Sequence, residues 1–146
     1  MTFCCTSGIA AVWIEWTLKV MCLAALAEAT ADTVSSEIGQ AYGGAPRMLL
    51  SLKLVGAGTD GAITLLGTAA GIGGSCVVAM AGTWAMRLHT QEALVAICAG
   101  SAGLFFDSLL GATLERRGWL GNDLVNFTST VFASVVAAVI YRYWVL

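Results

Sequence analysis

Four long apolar runs dominate the sequence, extending roughly over residues 12–31, 61–86, 93–114 and 124–144. Between them lie shorter stretches rich in Gly, Ser, Thr and Asp. At about 1.5 Å per helical residue, each run is long enough to cross a hydrocarbon core about 30 Å thick. A segment in lipid has to satisfy its own backbone N–H and C=O groups, and an apolar run of this length does so as a helix. The pattern predicts an all-α, polytopic transmembrane bundle of about four spans, forming a single domain over residues 1–146.

The connection from Asp32 to Asp60 departs from this pattern. It holds the only proline, Pro46, preceded by Tyr42-Gly43-Gly44, and then an apolar run, Met48–Val55, that is too short to span. A re-entrant or interfacial segment is expected there, since irregular backbone at membrane depth has to be covered by protein. Glycines recur at helical spacing: Gly67 and Gly71 with Gly74 following, and Gly103 and Gly111 in the series Ala99, Gly103, Asp107, Gly111. Small residues at this period allow close approach of helix backbones.

Composition reinforces the membrane reading. Of 146 residues, 58% are hydrophobic and 11% charged, against about 25% charged in a typical soluble domain, and mean hydropathy is +0.83. A net charge of −2 without a basic run gives nucleic acid no electrostatic foothold. The cysteines Cys4, Cys5, Cys22, Cys76 and Cys98 form no C-x-x-C pair and read as small packing residues. His89 stands alone in an expected loop. Residues Met1–Val12 have no basic n-region, and Glu15 and Lys19 interrupt the first apolar run, which argues against a cleavable signal.

Charge also suggests an orientation. With four spans, the connections 32–60 and 115–123 share one side and carry Arg47, Lys53, Arg116 and Arg117, while the opposite side carries Arg87 and Arg142. The positive-inside rule then puts the first set in the cytoplasm or its organellar equivalent, with both termini across the membrane.

Acidic residues inside or beside spans are costly and mark function. Glu28, Asp32 and Ser36 fall at i, i+4 and i+8, with Glu37 following, in Ala31-Asp32-Thr33-Val34-Ser35-Ser36-Glu37-Ile38-Gly39. A second motif, Lys53-Leu54-Val55-Gly56-Ala57-Gly58-Thr59-Asp60-Gly61, leads into the second run; a glycine-rich turn opening a helix suits phosphate. The third motif, Asp107-Ser108-Leu109-Leu110-Gly111-Ala112-Thr113-Leu114-Glu115, sets Asp107 and Glu115 on either side of Gly111, and Asn122-Asp123-Leu124-Val125-Asn126 opens the last run. In the four-span topology all of them share one membrane face. Interfacial caps would explain Asp123, Glu92 and Glu15. Asp32, Asp60 and Asp107 sit instead among Ser, Thr and Gly, and suggest Mg²⁺ with a phosphorylated ligand.

Three of these stretches, ADTVSSEIG at 31–39, PRMLLSLKLVGAGTDGAITLLGT at 46–68 and DSLLGATLE at 107–115, together with Asn126, resemble the integral-membrane family of phytyl-phosphate kinase and transmembrane protein nineteen. The likeness runs from about Ala24 to the C-terminus. It implies a CTP-dependent kinase that converts an isoprenyl monophosphate such as phytyl phosphate to its diphosphate, in a bacterial inner membrane or a plastid membrane. On that reading Asp32, Asp60 and Asp107 are catalytic, and Asp32, Glu37, Asp60 and Asp107 supply Mg²⁺ ligands. Ser36, Lys53, Gly58, Thr59, Gly61, Ser108, Gly111 and Asn126 bind nucleotide and phosphate on the cytoplasmic or stromal side, while the prenyl tail lies between spans, where glycine-lined faces leave room, with membrane lipid around the bundle. Family members usually carry further spans before the ADT motif where one precedes it here, which implies either an N-terminally shortened form or fragment, or a bundle completed by a partner helix or a homo-oligomer. A small transporter and a non-catalytic membrane subunit are the alternatives.

Overall fold

The computed structural model describes the backbone of Thr2–Val145 and the side chains of residues 12–144; Cys4, Cys5 and the stretch read against a signal peptide fall outside the described side chains. The chain is helical nearly throughout. Helix α1 runs Thr2–Tyr42, α2 Leu65–Met86, α3 Thr90–Leu110 and α4 Asn122–Ile140. π-helical turns extend α3 over Gly111–Glu115 and α4 over Tyr141–Val145. A two-residue strand pair, β1 (Arg47–Met48) antiparallel to β2 (Ala62–Ile63), closes the connection between α1 and α2.

The long first helix corrects the expected break at Asp32. Nothing between Asp32 and Tyr42 stops a helix. Thr33 donates its hydroxyl to the Ala29 carbonyl at 2.9 Å and Ser36 to that of Thr33 at 3.0 Å, so these polar side chains satisfy themselves along the helix. Termination comes at Gly43-Gly44, where Gly44 takes φ +73°. The second span likewise starts four residues later than expected. Ala62 and Ile63 are tied to the strand pair, and Thr64 caps α2 by accepting from the Gly67 N–H at 3.0 Å.

The segment expected to be re-entrant or interfacial is a hairpin-like excursion at one end of the bundle. Met48 is buried, but Leu50, Leu52 and Leu54 are 61, 62 and 61% exposed, so the run does not insert among the helices. The Arg116 guanidinium, 3.6 Å from the Met48 sulfur, ties the hairpin to the end of α3. At the other end His89 precedes α3, its N–H donating to Glu92 Oε2 at 2.9 Å and its ring stacked on Trp16 at 5.5 Å, a structural role in keeping with its isolation.

Helices α1 and α3 pack on each other and on both α2 and α4. The contact faces are built from small residues at a period of four: Gly67, Gly71, Ser75 and Ala79 on α2, and Val125, Ser129, Ala133 and Ala137 on α4. They meet Val20, Leu23, Ala24, Ala27 and Ala31 of α1, all fully buried. Bulky side chains such as Leu65, Val77, Trp84, Phe127 and Val139 point outward and are about half exposed or more. That inversion, small inside and large outside, suits a lipid solvent, where burying a large apolar residue gains little. The segments Leu65–Met86, Thr90–Glu115 and Asn122–Trp144 are each long and apolar enough to cross a membrane. Among the described residues α1 contributes no such segment, since Glu15, Lys19 and Glu28 fall within the expected first span, 12–31.

Gly71 gives a direct test of this packing. A Cβ there would lie 2.6 Å from the Ala31 carbonyl oxygen and 2.9 Å from Ser35 Cβ, whereas one at Gly73 of the same helix meets nothing within 4 Å. Gly71→Ala is expected to destabilise the detergent-solubilised chain by roughly 1–3 kcal/mol, as other overpacking substitutions do, and Gly73→Ala to leave the unfolding midpoint in place. Equal midpoints for the two variants would contradict the close α1–α2 approach.

Candidate functional site

The C-terminal end of α1, the start of α2, the end of α3 and the start of α4 converge at the same end of the bundle, where they enclose a polar cavity of about 330 Å³. From α1 come Asp32, Ser35, Ser36, Gly39 and Gln40. These are the i, i+3, i+4, i+7 and i+8 positions of one helical face. The loop contributes Gly58, Thr59, Asp60 and Gly61, with Thr64 from the start of α2; α3 and its π turn contribute Asp107, Ser108 and Glu115, and α4 contributes Asn122 and Asn126.

Nine of the residues singled out in the sequence therefore line one cavity: Asp32, Ser36, Gly58, Thr59, Asp60, Gly61, Asp107, Ser108 and Asn126. Two others do not. Glu37 is exposed and outside the lining; five residues beyond Asp32 at about 100° each, it points some 140° away around the helix. Lys53 is exposed next to Leu52, whose φ of 54° turns the chain outward, and it too lies outside the lining. Gly111 stands behind the cavity, packed on Gly61: a Cβ on Gly111 would come 2.8 Å from the Gly61 nitrogen.

Gly61 is the tightest point of the site. It has φ +69°, and an added Cβ would meet the Ser108 carbonyl oxygen at 2.6 Å and the Ala112 backbone more closely still. Only glycine fits both the conformation and the space. The π turn begins where this loop presses on α3, with the Arg116 N–H reaching back to the Gly111 carbonyl at 3.3 Å. Such wide turns recur at functional sites; here the turn returns Glu115 toward the face that carries Asp107. The Gly58–Gly61 turn itself does not open α2 as expected. Thr59 uses its hydroxyl on the Gly56 carbonyl at 2.7 Å, and within the first turn of α2 the Gly67 amide is taken by the Thr64 hydroxyl.

Charge is the most unusual property of the cavity. Asp32, Asp60, Asp107 and Glu115 line it, and no Lys or Arg does. Asp32 of α1 and Asp107 of α3 line the same cavity and are near enough to interact electrostatically. The Ser129 hydroxyl supports Asp107, 3.1 Å from Oδ2. Among the described residues, ion pairs are confined to Lys19–Glu15 and His89–Glu92, so none of the cavity acids is neutralised by a side chain. The described residues bring no three of His, Cys, Asp and Glu into a cluster able to hold a metal ion alone, so the four-acid set Asp32, Glu37, Asp60 and Asp107 does not converge. What converges is the Asp32–Asp107 pair. That pair fits Mg²⁺, which takes one or two carboxylates and completes its shell with phosphate and water oxygens.

The sequence profile of the family described as integral membrane protein DUF92 matches residues 1–134. The uncharacterized membrane protein MJ0933 of Methanocaldococcus jannaschii is 37% identical over 119 residues, 82% of this chain and 50% of its own length. Protein VTE6, chloroplastic, of Arabidopsis thaliana is 36% identical over 115 residues, 77% of this chain and 34% of its own. The uncharacterized membrane protein sll0875 of Synechocystis sp. is 29% identical over 126 residues, 86% of this chain and 48% of its own. The chain thus spans half or less of the length of these relatives. No solved structure matches it.

If the facing carboxylates repel, removing one should stabilise the fold. Asp107→Asn in cation-free detergent is expected to raise the unfolding midpoint by on the order of 1 kcal/mol, the scale of a like-charge contact at a high effective dielectric. Saturating Mg²⁺ should narrow that difference by stabilising wild type. A lower midpoint for Asp107→Asn in both conditions would refute the repulsion.

Proposed function

The chain belongs to the DUF92 family of integral membrane proteins, and on that premise we propose that it is a membrane-embedded phosphotransferase acting on an isoprenyl monophosphate, with phytyl phosphate as the model substrate and CTP as donor. One observation carries the reading: four carboxylates share a single polar cavity at one end of an apolar bundle, with no basic side chain among them. Phosphates cannot enter such a cavity on protein charges alone. A divalent cation held by the carboxylates would supply the missing positive charge, and phosphoryl transfer depends mainly on such positioning and neutralisation. The three sequence motifs that resemble the phytyl-phosphate kinase family supply most of the lining, which supports the same assignment.

In this reading Asp32 and Asp107 hold Mg²⁺, which when bound screens the phosphate charges. Asp60 faces them from the loop, and Ser36, Ser108, Thr59 and Asn126 offer hydroxyl and amide groups to phosphate oxygens. The terminal phosphorus of CTP forms a bond to an oxygen of the prenyl monophosphate while its bond to the bridging oxygen breaks, giving the prenyl diphosphate and CDP. The acceptor is ionised already, so no general base is required. Its tail extends into lipid alongside the outward-facing side chains of the helices. The site lies on the cytoplasmic side of a bacterial inner membrane or the stromal side of a plastid membrane, where nucleotide is available. A transporter would call for a path of polar groups from end to end, whereas the cavity acids gather at one end.

The test is phosphorylation of phytyl phosphate by the full chain in proteoliposomes with CTP and Mg²⁺. Asp107→Asn and Asp60→Asn are each expected to lower turnover by about 10²-fold or more, the usual cost of removing one electrostatic group from a preorganised site. Turnover unchanged in both variants would refute the site, and no turnover in wild type under any nucleotide would refute the activity.

A further inference from the structure

One acid lies deeper than the cavity. Glu28 is 1% exposed, one helical turn below Asp32 on the same face of α1. The Thr130 hydroxyl donates to Glu28 Oε2 at 2.6 Å, while Oε1 is buried with no hydrogen-bond partner among the described residues. It is near enough to interact electrostatically with both Asp32 and Asp107.

The packing around it is shaped to admit this side chain. A Cβ on Gly103 of α3 would run into Glu28 Cγ and would lie 3.0 Å from Ala133 Cβ. One on Gly100 would lie 3.1 Å from the Glu28 nitrogen and 3.1 Å from Ser75 Oγ, a second buried oxygen with no partner among the described residues. Gly103 thus leaves room for the Glu28 side chain, and Gly100 lets α3 approach the α1 backbone beside it. A glutamine would accept the Thr130 hydrogen bond equally well. What glutamate adds is charge, and buried charge in a membrane helix calls for a positive partner. Among the described residues no side chain supplies one.

We propose that Glu28 is a positioning residue for the cavity: a buried counter-charge that strengthens the hold of the Asp32–Asp107 pair on a divalent cation without lining the cavity itself. The proposal rests on the cation reading given above. A cation held by Asp32 and Asp107 would favour the ionised form of Glu28, whose charge would then act through a water-poor interior, where electrostatic effects are strong, and Thr130 fixes the carboxyl group by one oxygen. Outer-shell groups of this kind set the cation affinity of the groups in front of them.

The experiment is Mn²⁺ binding to the full chain in nanodiscs, followed by the electron paramagnetic resonance signal of free Mn²⁺, so that no catalytic turnover is needed. Wild type is expected to bind and Asp107→Asn to lose binding. Glu28→Gln, which keeps shape and the hydrogen-bond acceptor, is expected to weaken binding about tenfold or more, on the scale of other outer-shell substitutions, with helicity unchanged. Wild-type affinity in Glu28→Gln would overturn the proposal while leaving the cation reading intact; absence of Mn²⁺ binding in wild type would overturn both. Should Glu28→Gln fail to fold, Thr130→Val decides. It leaves the charge and removes the hydroxyl, so it is expected to bind Mn²⁺ as wild type does; a tenfold loss there would make the hydrogen bond the active element and overturn the counter-charge.

Discussion

Everything in this fold depends on how closely α1 can approach α2 and α3. In a lipid solvent there is little hydrophobic gain in bringing two apolar helices together, and the contact has to be made by backbone proximity and dispersion. Gly67 and Gly71 allow α2 to pass against the Ala31 and Ser35 backbone, and Gly100 and Gly103 allow α3 to pass against Ala27 and Glu28. The same approach carries Asp32 to Asp107. Were a larger residue to hold the helices apart, the facing acids would separate with them. Packing and chemistry in this molecule are consequences of one spacing.

The loop obeys a similar rule at smaller scale. Gly61 lies against Ser108, Gly111 and Ala112 so tightly that no side chain fits, and the π turn that follows accommodates the pressure by widening. That widening brings Glu115 to the cavity. The loop, the irregular turn and the fourth acid form one local arrangement, and Arg116 fastens the hairpin to it through Met48.

Much of this was legible in the sequence. The apolar runs marked the helices, and the motifs around Asp32, Asp60 and Asp107 were correctly read as sharing one end of the bundle. The site was read less fully because the first apolar run was marked only to Ala31 and the helical face beyond it was followed only to Ser36. Drawn through Tyr42, that face would have added Ser35, Gly39 and Gln40 at once and removed Glu37, which helical geometry turns away. Lys53 misled for a different reason: sequence adjacency to a glycine-rich turn says nothing of which way a hairpin turns, and Leu52 in a left-handed conformation turns it outward. Glu115 was visible as a flank of Gly111, but only the π turn, a response to tertiary contact with Gly61, gives it a place in the cavity.

A remaining tension is that α1, the helix least suited to lipid by composition, touches all three of the others. Each acid on it costs insertion energy that an apolar residue would not, and among the described residues none of Glu28, Asp32 or Asp107 is paired with a cationic side chain. Surrounding α1 with apolar helices is one way to carry such a segment within a membrane, and the arrangement α1–α3 flanked by α2 and α4 does so. The charges then explain the architecture as much as the architecture positions the charges: a bundle meant only to be stable would have replaced Glu28 by leucine and filled Gly103. Neither substitution is present, so the packing at this level follows the buried acid rather than the densest apolar filling.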